Sequence, residues 1–136
     1  MEIFTANEVT SITGLELQAV DHLVRSGVVT PSIRSADGRG SRRLYSRTDV
    51  IAVGVAAELR RLGSGSDLIR RVASFLQREG GTCGVEEGGQ WVVVADTSGV
   101  QLVREDAIHS MWGDRRSALI VPLSGVLGEL ERQEDL

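Results

Sequence analysis

The chain has 136 residues, 41% of them hydrophobic, and a formal net charge of −4, which suits one globular domain or a small domain with an appendage. Cys83 is its single cysteine, so an intrachain disulfide and a multi-thiolate metal site within one subunit are both excluded. No apolar run approaches the roughly 18 to 20 residues that cross a bilayer, and Met1 to Thr5 show neither the basic nor the apolar region of a signal peptide, so the expectation is a cytoplasmic protein with no membrane partner.

Thr5 and Glu8 stand in the relation of a capping box, in which hydroxyl and carboxylate satisfy the first free backbone donors of a helix. They predict a helix over 6–13, ended by Gly14. A second helix follows over about 16–26, with Leu17, Val20, Leu23 and Val24 inward and Gln18, Asp21, His22 and Arg25 in a row on the other face. Such a row can enter a nucleic-acid groove, and it is also what any solvated helix face looks like. Pro31 then keeps the chain extended. Residues 32–36 and 41–45 read as two short strands about the turn Asp37-Gly-Arg-Gly40. Ser46 and Asp49 repeat the capping signature and open a third helix over about 47–62, apolar on most sides; a fourth is expected over 67–79.

The composition changes after residue 79. Glycines at 80, 81, 84, 88 and 89 mark a linker, and a second unit follows. Residues 90–95 and 100–103 flank Thr-Ser-Gly as a hairpin, 117–121 is a third strand, and a terminal helix runs over 124–132. Ile108, Met111 and Trp112 line a short helix between the strands. About fifty residues are too few to be stable alone with ease, so this unit is expected to pack on the first or on a second subunit. Trp91, Val93, Leu102, Trp112 and Leu127 are its candidate dimer-interface or effector-pocket residues, with ordinary core packing the simpler reading.

Charge is divided between the two parts. Residues 1–80 carry 11 arginines against nine acids, whereas 81–136 carry four against ten. Every cationic side chain is arginine, so abundance argues little and clustering must carry the inference. Arg34, Arg39, Arg42, Arg43 and Arg47 against Asp37 give +4 over residues 32–47, enough to follow a phosphate backbone or enter a minor groove.

With these residues in order, the chain resembles the MerR family of winged helix-turn-helix transcription regulators over about residues 3–78. The resemblance lies in Phe4-Thr5, Glu8-Val9, Thr13-Gly14, Arg25-Ser-Gly27-Val-Val-Thr-Pro31, Arg43-Leu-Tyr45-Ser46 and Asp49-Val50. It implies an α+β fold: a winged helix-turn-helix domain over 1–79, with four helices and a β-hairpin wing, a linker at 80–89, and a small α+β dimerisation or effector unit over 90–136. It implies binding of double-stranded DNA as a homodimer, through Gln18, His22 and Arg25 of the second helix and Arg34, Arg39, Arg42, Arg43, Tyr45 and Arg47 of the wing. A small-molecule effector is compatible with it; no cofactor or metal is expected. Two departures stand out. Asp21 and His22 occupy positions where the family has an arginine followed by aromatic residues, and a carboxylate there would repel phosphates. The family's long antiparallel dimer helix after the fourth helix is also missing from the pattern.

No nucleophile elbow, P-loop or metal-ligand spacing is present, and His22, His109 and Cys83 lie in different units, so an enzyme is not expected. The competing readings are an excisionase-like DNA-bending factor and an antitoxin-like protein-interaction module.

Overall fold

In a computed structural model, the residues described are 2–34, 42–79, 90–111, 113 and 117–134. The expected wing tip with Arg39, the glycine-rich linker at 80–89 and Trp112 lie outside them. The described chain is α+β, with five helices and two small sheets, and fits a winged helix-turn-helix-like fold.

Local chemistry sets the helix starts. Helix α1 (Ala6–Thr13) opens on the Thr5–Glu8 box: the Thr5 N–H donates to Glu8 Oε1 at 3.1 Å and the Glu8 N–H to Thr5 Oγ1 at 3.3 Å. Gly14 closes it in the left-handed region at φ 74°, which costs glycine nothing sterically. Helix α2 spans Leu17–Arg25, α3 Arg47–Arg61 and α4 Ser66–Glu79. The two strands expected over 32–36 and 41–45 are represented among the described residues by a bridge between Arg34 and Leu44, with both backbone hydrogen bonds made at 3.2 and 2.8 Å. On its other edge Leu44 belongs to β2 (Leu44–Tyr45), which pairs antiparallel with β1 (Phe4–Thr5). That pairing ties the wing base to the start of α1.

Helix α3 is the centre of the molecule. Every residue from Val50 to Ala56 is buried, against α1, α4, β2 and the terminal helix α5 (Ser124–Glu134). A Cβ at Gly54 would lie 2.5 Å from Val126 Cγ2, so the absent side chain is what lets α3 and α5 come this close.

Strands β3 (Trp91–Asp96), β4 (Gly99–Arg104) and β5 (Leu119–Pro122) form an antiparallel sheet with β3 in the middle. Alternation along β3 gives the sheet two apolar faces. Val93 and Ala95, with Val121 of β5, join one continuous core with the helices, to which Leu123, Leu127 and Leu130 also belong. Val92, Val94 and Val103 face the other way, under two 3-10 turns at Glu105–Ala107 and His109–Met111 that stand where a short helix was expected. Residues 90–134 therefore pack on the first segment of the same chain.

Candidate nucleic-acid interface

Helix α2 presents the row expected of it. Val20 and Leu23 are buried, while Gln18, His22 and Arg25 are exposed. Leu17 was expected inward and is 52% exposed. Three residues from Val20 and four from Asp21, it sits on the border of the two faces and falls on the outer one.

Asp21 does not project freely toward a phosphate. Arg25 Nε donates to its Oδ2 at 2.9 Å, and Arg43 Nη1 donates to its Oδ1. The Arg43 hydrogen bond, ahead of the opposing effect of partial burial and the helping charge of Arg25, holds the Asp21 carboxyl below the usual carboxylate range. One carboxylate thus joins α2 to the wing base and neutralises one charge of two arginines expected to meet DNA. Nothing in the local pattern announces this pair, because its members are 22 residues apart.

Along the wing base Arg34 and Arg42 are exposed. Arg34 Nε donates to the Arg42 carbonyl at 2.8 Å, which braces the two strands across the opening. Two of the residues expected at the wing are buried. Arg47 is only 9% exposed and reaches Glu2 at 3.4 Å, because the first residue of α3 points its side chain back under the N-terminal segment. Tyr45 is fully buried in the core, and its hydroxyl has no hydrogen-bond partner among the described residues. Burial pushes that hydroxyl's pKa up, against the opposing influence of the Arg43 guanidinium, which lies close to it without completing a hydrogen bond of good geometry.

A buried polar cluster positions the wing, and only its helix-capping part was legible in the sequence. Asp49 is 1% exposed. Its Oδ2 accepts from the Ser46 N–H at 2.9 Å, closing the α3 cap, and from the Ser32 N–H and hydroxyl at 2.8 and 2.7 Å. Its Oδ1 accepts from Gln77 Nε2 of α4 at 2.6 Å, and the same Gln77 amide exchanges hydrogen bonds with the Thr30 backbone. The chain entering the wing is thereby fixed to α3 and α4 at once. No periodicity marks Gln77.

Of the candidate dimer or effector residues, Val93 and Leu127 lie inside the chain's own core. Leu102 packs partly against the same core, as does Trp91, whose ring carries the Arg104 guanidinium 4.9 Å above its centroid. Among the described residues no group of His, Cys, Asp and Glu is arranged to hold a metal, and no helix is long and apolar enough to cross a membrane.

No family model matches the chain. It is similar to uncharacterised helix-turn-helix-type transcriptional regulators of Mycobacterium bovis and of two strains of Mycobacterium tuberculosis, 36% identical in each case over 69 residues. The match takes in 51% of this chain and 31% of each relative, so the matched segment spans about a third of their length. Over that half of the chain, the homologues are helix-turn-helix regulators.

Proposed function

We propose that this protein is a MerR-type winged helix-turn-helix regulator that binds double-stranded DNA as a homodimer. Helix α2 enters the major groove and the arginines of the wing grip the flanking backbone. The observation that carries the reading is the continuous exposed face of Gln18, His22 and Arg25 on α2, joined through Asp21 and Arg43 to Arg34 and Arg42 of the wing base. Arginine forks suit phosphate oxygens, and a polar helix row suits base edges. The relatives named as transcriptional regulators point the same way. One module of this size makes few base contacts, so paired half-sites supply the affinity and specificity that a single copy lacks.

Binding of random-sequence duplex, titrated with salt, tests the proposal. The wild type should bind at low ionic strength, and Arg25→Ala with Arg42→Ala should weaken binding and reduce the salt slope by about 0.9 for each phosphate that is no longer neutralised. Absence of duplex binding at low salt, or an unchanged slope in the double variant, refutes it. Fragments selected from random duplex DNA should share a two-fold symmetric site.

A further inference from the structure

The exposed side of α4 and the β3–β4 hairpin flank an open groove of about 400 Å3. Arg71, Ser74, Phe75 and Arg78 line it at the spacing of one helical stripe, and Gly99 and Val100 form the opposite wall. Arg70 borders it on the side of α2, where it also lines a recess with His22 and Ser26. Arg71 Nη2 donates to the Asp96 carbonyl at 3.3 Å and Arg78 Nε to the Ser74 carbonyl at 3.3 Å, so both guanidinium groups are braced by backbone. Among the described residues none of Arg70, Arg71 and Arg78 has a carboxylate within ion-pair distance. The nearest acid on the hairpin, Asp96, uses its Oδ1 within the turn, accepting from the Ser98 N–H and hydroxyl and the Gly99 N–H.

Like charges brought together along one groove, here Arg71 and Arg78, repel one another, and a bound anion removes that cost. Guanidinium forks match phosphate oxygens with paired hydrogen bonds, and Phe75 offers an apolar surface beside them. The volume lies in the range of small-molecule sites. We propose that this groove binds a small phosphorylated ligand, its phosphate held by Arg71 and Arg78 and the rest of it seated against Phe75. A recess walled on one side by α4 and on the other by a hairpin turn admits a compact phosphate more readily than the track of a duplex.

Calorimetric titration of the full chain with inorganic pyrophosphate tests this without DNA present, so its outcome is separate from that of the duplex experiments. Saturable one-to-one binding is expected, weakened at least about tenfold by Arg71→Ala with Arg78→Ala and unchanged by Arg42→Ala. All three side chains are exposed, and an unchanged melting profile would show that the variants keep the fold. No saturable heat, an affinity indifferent to the double substitution, or an equal loss in Arg42→Ala overturns the proposal. So does a double variant that lowers duplex affinity and its salt slope while pyrophosphate fails to bind, which would make the groove a DNA contact.

Discussion

Asp21→Asn is the sharpest test of how α2 and the wing work together. In the wild type one carboxylate occupies Arg25 and Arg43, and asparagine keeps the shape while releasing that charge. If one arginine is thereby freed for a phosphate, the log–log salt slope of duplex binding should steepen by about 0.9, and by about twice that if both are freed. One further neutralised phosphate raises affinity about tenfold at 0.1 M salt relative to 1 M, where the term vanishes. The cost to the free protein is modest, since the pair with the exposed Arg25 contributes about 0.2 to 1 kcal/mol and the partly buried Arg43 keeps a hydrogen-bond acceptor in the asparagine oxygen. Fluorescence anisotropy with a labelled random duplex between about 50 and 300 mM salt, paired with urea unfolding, measures both sides. An affinity and slope equal to or below the wild type would refute the argument and show that Asp21 organises Arg43 for binding instead of occupying it. The pH dependence has a definite sign. Because the Asp21 carboxyl is held below its ordinary value in the folded state, its stabilisation is complete above the unfolded carboxylate pKa of about 3.9 and disappears as pH falls through the lower folded value. Near neutral pH the clasp is therefore closed, and Asp21→Asn should lose that part of the acid limb of stability.

Other substitutions test the remaining structure. Tyr45→Phe removes a buried hydroxyl without a partner among the described residues, so it should leave duplex affinity unchanged and raise stability by up to about 1 kcal/mol. The wild type should also weaken as pH rises above the unfolded tyrosine value of about 10, since burial raises the folded pKa, and the phenylalanine variant should lack that contribution in alkaline unfolding. Gly54→Leu forces α3 and α5 apart and should cost about 3 kcal/mol in urea unfolding; no loss of stability would mean that α5 does not pack there. Gln77→Ala strands the buried Asp49 oxygen and removes two exposed hydrogen bonds to the Thr30 backbone, with an expected loss of about 2 kcal/mol by thermal unfolding.

What the sequence determined by itself was local. The boxes at Thr5–Glu8 and Ser46–Asp49, the stop at Gly14 and the alternation along 91–96 each depend on residues a few positions apart, so the helices and the three-stranded sheet fall close to where they were expected. The outward row of α2 was legible for the same reason, through a period of about 3.6. Tertiary structure alone decided the rest. Strand β1 was not readable, because two residues carry no alternation and its partner lies about 40 positions away. The arginines could be counted from the sequence but not sorted. Arg47 turned out to be buried against Glu2, Arg25 and Arg43 share Asp21, and Arg34 and Arg42 remain on the surface. Burial and charge pairing depend on which distant segments meet, and that is set by packing around α3, where Gly54 admits α5 and the C-terminal sheet completes the core.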